Sequence, residues 1–384
     1  MIPSSCASHF QTAVERGIDF PGLRSLLNEG VGRLLADPRY GKDGQVWMTG
    51  SGDSLFAAQS AIPALRRWSG MRAASLSAME FARYQVPLLA GSDIVWGISN
   101  SGSASRTREA VSLARARQNL TVGLTGTRTG PLANLADVVL YRPVSELPEI
   151  DTSIRRVFLN MIEYLAALYA LYFVGLRIAV ENGAMVSSAA ERIASDCEKA
   201  ILSLGDLARR HEPTSAQLAG ELKEMDTIWI TGAGPNFGTA RYAAAKFHEQ
   251  LPWNGIPEDL EEWAHLQYFL TLSWGGRSVV FVLAPPGNCL DRAEELVHGI
   301  ADAGGRAIVV AHPDYGRFPE AWIRFDMPGL DDEFLSPLTY HLPSQLLVLH
   351  LAGQAHMDLT PLRRQDDYRL IRGGVVRTDP DVLR

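Results

Sequence analysis

Cysteine is scarce in this sequence, which has 384 residues and three cysteines, Cys6, Cys197 and Cys289. Three widely separated cysteines form neither a disulfide framework nor a CxxC metal-binding pair. The histidines and carboxylates, including His312 and Asp314, do not show the spacing typical of metal ligands. We therefore predict a protein of a reducing, cytoplasmic compartment with no metal site.

A basic excess is absent as well. Lysine and arginine together number 36 against 43 aspartates and glutamates, which gives a formal net charge of -7. A nucleic-acid-binding surface needs clustered positive charge, so we expect a small-molecule partner and no nucleic acid. Lysine itself is rare, with four residues, Lys42, Lys199, Lys223 and Lys246. Each lysine is therefore a candidate for a specific role.

Long uninterrupted apolar segments are also missing. The longest apolar stretch, 157–180, contains Asn160, Glu163 and Arg177 and is typical of a buried core helix rather than a membrane span. The first residues lack the basic and apolar regions of a secretory signal. With 46% hydrophobic residues, the chain can fill ordinary globular cores. We expect a soluble protein with no membrane partner.

The chain has instead an alternation of short β-rich segments and helical patterns, which predicts parallel sheets covered by helices. The predicted strands of the first half are 46–49, 73–76, 94–99, 121–125 and 138–141, with helices at 55–68 and 107–118. A helical stretch covers about 151–210. The predicted strands of the second half are 227–231, 279–283, 307–311 and 322–325, with helices at 237–251 and 290–303. Gly304 is the expected end of the last helix.

Two copies of one α/β unit are the natural interpretation of this repeat, and a length of 384 residues favours two or three domains. We predict an α/β fold of two tandem α-β-α sandwich domains with parallel, doubly wound, flavodoxin-like sheets. The predicted parts are an N-terminal segment 1–24, a first domain 25–180, a connecting helix 181–210, a second domain 211–360 and a C-terminal tail 361–384.

Two loops rich in hydroxyl groups follow predicted strands of the first half. Residues 50–54 read Gly-Ser-Gly-Asp-Ser, and residues 99–103 read Ser-Asn-Ser-Gly-Ser. Ligands of open α/β sheets bind at the carboxyl ends of strands, and the N–H groups at a helix start bind anions. The two loops therefore predict one phosphate site. The alternative for the first loop is an ordinary turn in which Ser54 caps the following helix.

A further glycine loop raises the possibility of a nucleotide site. Gly232, Gly234 and Gly238 have the spacing GxGxxxG. Dinucleotide-binding loops have GxGxxG, and neither glycine loop of this chain has the lysine of a P-loop. We therefore predict no nucleotide and no other cofactor.

Lys246 and Glu249 lie one turn apart on the helix predicted after that loop. A carboxylate held at this position can move a proton between adjacent carbons of a sugar. The alternative is a solvated surface ion pair, which lysine and glutamate at this spacing usually form. The scarcity of lysine favours the functional interpretation.

A histidine follows a run of carboxylates in the segment 258–265, which reads Glu-Asp-Leu-Glu-Glu-Trp-Ala-His. If the segment is helical, Glu261 and Glu262 lie within about one turn of His265. A carboxylate at that distance can orient and charge the imidazole for acid–base chemistry. The alternative is a structural histidine on a partly apolar helix.

In this order, the motifs resemble those of the sugar isomerase (SIS) superfamily over about residues 45–361. They are similar in particular to the isomerase half of glucosamine-6-phosphate synthase and to the fructosamine-phosphate deglycases. The loops at 50–54 and 99–102 match the family's phosphate loops, and 244–249 resembles the helix with its catalytic glutamate. Residues 262–265 fall where the family has Glu-x-x-His, and 340–347 resembles a late helix start.

The resemblance implies a homodimer with a shared active site that binds a sugar phosphate or amino-sugar phosphate. Glu249 would move a proton between C1 and C2, with Lys246 beside it. His265, paired with Glu262, would open the sugar ring from the neighbouring subunit. The implied phosphate ligands are Ser51, Gly52, Asp53, Ser54, Ser99, Asn100, Ser101, Ser103 and Ser153.

The sequence departs from the family's pattern in several respects, including Ser153-Ile154-Arg155-Arg156 for the usual Ala-Ser-Thr-Lys and Leu266-Gln267 for the usual Gly-Pro. Ser103 and Ala104 replace the usual Glu-Thr, so that Ser105 or Thr107 would have to supply a phosphate hydroxyl. No lysine follows Lys246, although the synthase has one near its C-terminus. We also expect no glutaminase domain before the first domain. We therefore expect neither synthase activity nor glutamine as a substrate.

The expected function is proton transfer between C1 and C2 of a sugar phosphate or amino-sugar phosphate. The enzyme would be a fructosamine-phosphate deglycase or an amino-sugar-phosphate isomerase or deaminase. Two alternatives stay open: a simple aldose–ketose phosphosugar isomerase, and a non-catalytic regulator that binds sugar phosphates. A regulator needs the phosphate loops but neither Glu249 nor His265, and this favours an enzyme.

Overall fold

A computed structural model of the protein describes residues 6–41, 43–327, 329 and 332–354. Helix α1 (Ala7–Gly17) begins this part of the chain. The described residues form two compact units. The first unit contains Arg16–Leu147 and Leu159–Glu198, and the second contains Pro148–Phe158 together with residues 6–15 and 199–354. The predicted domain boundaries stay a prediction.

The first unit is built on a five-stranded sheet with every strand pair parallel. Its elements are α2 (Phe20–Ala36), β1 (Val46–Gly50), α3 (Asp53–Ser69), β2 (Ala73–Ser77), α4 (Ala78–Glu80), β3 (Ile94–Ile98), α5 (Ser105–Ala116), β4 (Leu120–Thr125), α6 (Pro131–Leu135) and β5 (Val138–Tyr141). The strand order is β2-β1-β3-β4-β5, and Val46 of β1 is level with Ala73 and Ile94. Every residue of β3 and β4 is buried, as expected of a parallel sheet covered on both faces.

All five strands predicted in the first half are present, each within one residue of its expected bounds. Short apolar segments between helical patterns carry this signal most clearly at β3 and β4, because a central parallel strand is buried on both faces. The predicted α/β fold with parallel sheets is therefore confirmed.

The helical stretch predicted at 151–210 consists of three helices, α7 (Thr152–Glu181), α8 (Ser187–Leu202) and α9 (Leu204–Leu222). Residues 152–158 of α7 belong to the second unit and the rest of α7 to the first. Within the described part of the chain, α7 alone is long and apolar enough to cross a membrane, judged by length and composition. However, 83% of its most apolar window is buried in protein. This burial is what the core-helix interpretation predicts.

The second unit is built on another sheet of five parallel strands. After α9 its elements are β6 (Thr227–Gly232), α10 (Pro235–Gln250), β7 (Asn254–Glu258), α11 (Leu260–Glu262), α12 (Tyr268–Trp274), β8 (Val279–Ala284), α13 (Leu290–Asp302), β9 (Arg306–Ala311), β10 (Ile323–Asp326) and α14 (Leu342–Gln354). The strand order is β10-β9-β8-β6-β7, with all pairs parallel. Counted from its own first strand, this sheet repeats the order of the first one.

One strand of the second sheet, β7, is missing from the prediction. Its sequence, Asn-Gly-Ile-Pro-Glu, contains Gly255 and Pro257, which disfavour a strand. β7 lies at the edge of the sheet, where a proline can point its missing N–H away from the ladder. The edge position therefore accommodates residues that a central strand excludes.

Two signals near the end of the second unit are confirmed. Gly304 follows α13 with a φ of +81°, and the amide of Gly305 donates to the Ile300 carbonyl at 2.8 Å, which is the predicted glycine helix end. The segment 340–347 contains a helix start as predicted, since α14 begins at Leu342. The predicted tail 361–384 lies outside the described residues.

Candidate functional site

The loop after β1 is shaped by a glycine at the start of α3. Gly52 occupies the N-cap position with φ 58° and ψ -136°, a conformation open to glycine and strained for other residues. A Cβ placed on Gly52 would meet no atom within 4 Å, so the backbone can be approached closely from that side. Ser51 and Gly52 are exposed, and Asp53 and Ser54 are half-buried. The first N–H groups of α3 are therefore accessible to a ligand from this loop.

The alternative interpretation of Ser54 as the helix cap is wrong. The N-cap is Gly52, and no side chain makes a capping hydrogen bond there. Ser54 is the second residue of the helix, so its hydroxyl is not consumed in capping. This leaves the prediction of a phosphate ligand at Ser54 in place as a prediction.

The loop after β3 gathers the hydroxyl groups of Ser101 and Ser103, whose Oγ atoms lie 2.7 Å apart. The amide of Ser103 also donates to Ser101 Oγ at 3.3 Å. Ser101 is exposed, whereas Ser99 at the strand end is only 5% exposed. The carbonyl oxygen of Asn100 accepts from the amide of Gly126 at 3.0 Å, which fixes the loop to the end of β4.

The two loops lie side by side because β1 and β3 are neighbours in the sheet. A Cβ placed on Gly50 would lie 2.9 Å from the Ile98 carbonyl oxygen, so the two strand ends approach closely. In the order β2-β1-β3, the chain leaves β1 toward β2 on one side and returns to β3 on the other. This is the topological switch point, where open α/β sheets bind ligands. The structure thus brings together eight of the nine predicted phosphate ligands.

Ser105 and Thr107, the two predicted replacements for the missing phosphate hydroxyl, differ in exposure. Thr107 is fully buried, and its Oγ1 atom makes no hydrogen bond to any described residue. Ser105 is the first residue of α5 and half-buried. Of these two candidates, only Ser105 is accessible at the helix start.

Ser153, the ninth predicted ligand, lies in the second unit at the start of α7. Its hydroxyl donates to Asp151 Oδ1 at 2.6 Å, and its amide donates to the same atom at 2.8 Å. The hydrogen bond from the Ser153 hydroxyl holds the pKa of Asp151 below its usual range. Ser153 therefore has a local role at the helix start, and its phosphate role stays a prediction.

Lys246 and Glu249 on α10 form an ion pair with unequal exposure. Lys246 Nζ donates to Glu249 Oε2 at 2.9 Å, with the lysine side chain 1% exposed and the glutamate 39% exposed. The ammonium group also lies 4.6 Å from the ring centre of Tyr242, within cation–π range. The interpretation as a solvated surface pair is therefore wrong for Lys246, which is buried. The accessible partner is the carboxylate.

Tyr242, His341 and Gln345 form a buried polar network next to Lys246. The sequence does not predict this network. Gln345 Nε2 donates to the Tyr242 hydroxyl at 2.7 Å, and His341 Nδ1 lies 3.0 Å from Gln345 Oε1. The pKa of His341 is lowered to about 4, mainly by burial and in smaller part by the charge of Lys246. The imidazole is therefore neutral at neutral pH. In the sequence, the segment 340–347 resembles a helix start, and that resemblance does not indicate the hydrogen bonds of this network.

His265 lies on a π-helical turn, Trp263–Gln267, anchored by the buried Trp263. Its Nε2 atom is 3.2 Å from Glu261 Oε1, and its side chain is 70% exposed. The predicted pairing of His265 with Glu262 is therefore wrong: the partner is Glu261. A π turn has more residues per turn than an α-helix, so the residue four positions earlier comes into line.

Among the described residues, no hydrogen bond or ion pair joins His265 to Glu249: the partner of Glu249 is Lys246 and that of His265 is Glu261. The surface around His265 is apolar and exposed, with Leu266, Phe269 and Leu272 all pointing to solvent. Exposed apolar side chains this close together are typical of an interaction surface.

Comparison with known proteins gives a family match for the region of the first sheet. Residues 40–173 match the family model of the SIS domain. The glutamine–fructose-6-phosphate aminotransferase (isomerizing) of Mycobacterium bovis is 26% identical over 347 residues, which are 88% of this chain and 53% of that protein. The chain thus spans about half the length of this curated relative.

Solved structures show the same fold. The C-terminal domain of glucosamine-fructose-6-phosphate aminotransferase from Francisella tularensis superposes with a TM-score of 0.72 at 15% identity, covering 88% of this chain and 96% of that one. Tagatose-6-phosphate ketose/aldose isomerase from Escherichia coli gives a TM-score of 0.67 at 16% identity, covering 92% of both chains. Residues 40–173 thus match the SIS domain model, and the resemblance that the motifs indicated is confirmed.

Proposed function

We propose that this protein is a cofactor-independent, cytoplasmic enzyme that moves a proton between C1 and C2 of an amino-sugar or sugar phosphate. The preferred reactions are those of a fructosamine-phosphate deglycase or an amino-sugar-phosphate isomerase or deaminase. The observation that carries the proposal is the pair of hydroxyl-rich loops at the ends of β1 and β3. They flank the switch point of a SIS domain.

Phosphate binding is assigned to the first unit. The start of α3 offers backbone N–H groups and the positive end of a helix dipole, and Gly52 leaves the approach open. Hydroxyl groups from Ser54, Ser101 and Ser103 can donate to phosphate oxygens. This phosphate site needs no metal ion or lysine, since oriented N–H and O–H donors suffice to bind a phosphate monoester.

Proton transfer is assigned to Glu249 in the second unit. Isomerisation through an enediol or enolamine requires one base that takes the proton from one carbon and returns it to the next. The Glu249 carboxylate is partly exposed, and the buried ammonium of Lys246 holds its orientation. Tyr242 and Gln345 fix the region around Lys246 in turn. Lys246 is therefore a positioning residue in this proposal.

Ring opening is assigned to His265, acting in the active site of a second copy of the chain. The imidazole is exposed, paired with Glu261 and surrounded by exposed apolar side chains. A two-fold symmetric dimer formed through this surface buries those side chains and lets each copy complete the other's site. This supports a homodimer with shared active sites.

The phosphate assignment is tested with a double variant, Ser54→Ala with Ser101→Ala. Hydrogen bonds to a charged group contribute about 1.5–3 kcal/mol each, so affinity for fructose 6-phosphate should fall about 100-fold or more. Affinity for free fructose should change little. Calorimetric titration of both ligands measures the difference, and Ser112→Ala on the exposed face of α5 is the matched control. Equal losses for both ligands would contradict the assignment.

The reaction class is tested by product analysis with three substrates: a fructosamine phosphate, an amino-sugar phosphate and an aldose phosphate. Release of a free amine identifies the preferred class, whereas interconversion of the aldose and ketose phosphates alone identifies a simple isomerase. Tight binding of all three without turnover would indicate the regulator.

A further inference from the structure

Three side chains capable of binding a metal meet in the second unit. Cys6 precedes α1, Glu212 lies in α9 and His350 in α14. One ligand atom of each, the Cys6 Sγ, a Glu212 carboxylate oxygen and a His350 ring nitrogen, lies within 4.8 Å of the other two. Cys6 and Glu212 are 206 positions apart in the sequence, so this grouping has no spacing signature.

The contacts of the cluster fix two of the ligands in place. Glu212 Oε1 accepts from the amide of Cys6, and Glu212 Oε2 accepts from the amide of Ala7 at 3.4 Å. The carboxylate therefore holds the start of α1 beside it. Each carboxylate oxygen has two lone pairs, so accepting an amide hydrogen leaves capacity for a cation.

His350 supplies an independent observation. Its Nε2 atom lies 3.7 Å from Glu212 Oε1, beyond hydrogen-bond distance, and is buried. It makes no hydrogen bond to any described residue. A buried ring nitrogen without a hydrogen-bond partner costs free energy. The bonds that Glu212 accepts from the amides at the start of α1 do not supply this partner. A metal ion between the three ligands would satisfy it.

We propose that Cys6, Glu212 and His350 bind a zinc ion that ties α1, α9 and α14 together. A thiolate, an imidazole and a carboxylate are typical zinc ligands, whereas magnesium and calcium prefer oxygen ligands alone. Zinc with one thiolate, one carboxylate and a neutral imidazole has no net charge, which suits a largely buried site. The thiol gives up its proton to solvent as the Zn–S bond forms. A water molecule can complete the tetrahedron.

The test uses the full chain, freed of metal with a chelator and then titrated with Zn²⁺ or Co²⁺. We expect one equivalent to bind. The Co²⁺ complex should show the intense near-ultraviolet absorption of a thiolate-to-cobalt transition. Cys6→Ser should abolish that absorption and weaken Zn²⁺ binding about 100-fold or more, since even loss of a group that only supports a ligand costs 10–100-fold.

Two matched controls separate this site from adventitious binding. Cys289→Ser removes an exposed thiol, and His298→Ala removes an exposed imidazole near Asp302 and Glu320. Both variants should keep the thiolate absorption and the Zn²⁺ affinity. An absorption that survives Cys6→Ser, or that disappears in Cys289→Ser, would overturn the proposal.

A second variant covers the case in which Cys6→Ser does not fold. His350→Gln keeps the thiol and removes the imidazole. Zn²⁺ should raise the melting temperature of the unaltered protein and of Cys289→Ser, and have much less effect on His350→Gln. Equal thermal shifts in all three proteins would mean that the metal binds elsewhere.

Discussion

The two units have the same backbone frame and different chemistry. Both sheets have five parallel strands in the same order, and in both the helix after the first strand starts at a glycine with nearly the same dihedral angles. These are φ 58° and ψ -136° at Gly52, and φ 54° and ψ -123° at Gly234. The repeated frame therefore fixes where a loop can bind a ligand, and the side chains placed on it decide what is bound.

The loops after the third strands show the difference most clearly. In the first unit this loop is Ser-Asn-Ser-Gly-Ser at 99–103, and in the second it is Pro-Pro-Gly-Asn-Cys at 285–289. Only the first carries a row of hydroxyl groups. In the proposed function, the chemistry of the second unit belongs to α10 instead, where Lys246 and Glu249 form an ion pair.

The segments after the second strands are also counterparts. Each contains a π-helical turn that begins with a buried aromatic residue, Phe81 in the first unit and Trp263 in the second. The third residue of the turn is Arg83 in one and His265 in the other. Arg83 Nε binds Glu109 Oε1 at 2.6 Å, whereas His265 is exposed beside Glu261. The same position thus carries an arginine bound to a buried carboxylate in one unit and an exposed imidazole in the other.

The largest expected effect comes from removing the base of the second unit while leaving the first unaltered. Glu249→Gln keeps the shape of the side chain and removes its capacity to take a proton. A general base contributes about 100-fold to 10,000-fold, so turnover should fall by at least about 100-fold. Affinity for the phosphate ligand should change little.

Glu224→Gln, an exposed carboxylate of the same unit, is the control and should keep full turnover. If Glu249→Gln instead lost affinity for the phosphate ligand in parallel with turnover, the separate assignment of phosphate binding to the first unit and proton transfer to the second would be wrong.

The next effect tests whether His265 serves a second copy of the chain. His265→Ala should lower turnover about 100-fold on a substrate that is mostly in its closed-ring form, and less on one that is largely open. Mixed with Glu249→Gln and allowed to exchange subunits, it should regenerate about a quarter of the wild-type sites, since half the dimers are mixed and each has one intact site.

Turnover by the mixture is measured against each variant alone. Recovery that never exceeds the sum of the two separate activities, in dimers shown to have exchanged, would mean that His265 and Glu249 serve the same copy or that His265 is structural.

A smaller effect concerns the buried network that is found only in the second unit. The pKa of His341 is lowered by burial to about 4 from an ordinary value of 6.5. Above about pH 6.5 the imidazole is neutral in the folded and unfolded chains alike, and it adds no pH dependence. Below that, only the unfolded chain gains the proton, so stability falls until about pH 4 by about 3 kcal/mol.

His341→Gln should remove this part of the acid destabilisation. The measurement is the free energy of unfolding by urea at pH 7 and pH 4.5 for both proteins, with His298→Gln as an exposed control. His211 is also buried with a lowered pKa, so the wild-type curve contains its contribution too. An unchanged pH dependence in His341→Gln would show that the imidazole is protonated in the folded state.

The smallest effect compares the two glycines directly. Gly52→Ala and Gly234→Ala should each destabilise the protein by about 1–3 kcal/mol, because alanine is strained at these dihedral angles. A Cβ at either position meets nothing within 4 Å, so the cost comes from the backbone alone. Denaturant unfolding measures both variants.

Only Gly52→Ala should also weaken sugar-phosphate binding, because its Cβ stands where the ligand approaches the backbone. If Gly234→Ala weakened sugar-phosphate binding equally, phosphate binding would involve both units, and the proposed contrast between them would be wrong.

The sequence predicts the repeated frame well and the site only in part. Buried parallel strands are nearly continuous apolar segments, so nine of ten strands are found from pattern alone. The tenth, β7, is disguised by Gly255 and Pro257, which only its edge position permits. The two hydroxyl-rich loops can be predicted from the sequence because their serines come directly after the predicted strands.

The contacts of the site are not readable in the same way. The burial of Lys246 depends on the packing of α14 about a hundred positions later, for which residue spacing gives no signal. The partner of His265 is not readable either. A helix places both Glu261 and Glu262 within about one turn of His265, and the resemblance to Glu-x-x-His selects Glu262, whereas the structure pairs His265 with Glu261. Spacing along the chain likewise cannot reveal Cys6, Glu212 and His350 as neighbours.

The position of α1 has a consequence for synthesis on the ribosome. Residues 6–15 belong to the second unit, although the whole of the first unit is translated before residues 199–354. Phe10, Ala13 and Val14 are buried there, and the ring of Phe10 packs edge-on against that of Phe158. The partners of these apolar side chains therefore emerge about 150 or more residues later. At roughly 5–20 residues per second, the delay is on the order of 10 to 40 s. During that interval α1 is a free amphipathic segment that chaperones can bind, and the first unit must fold without it.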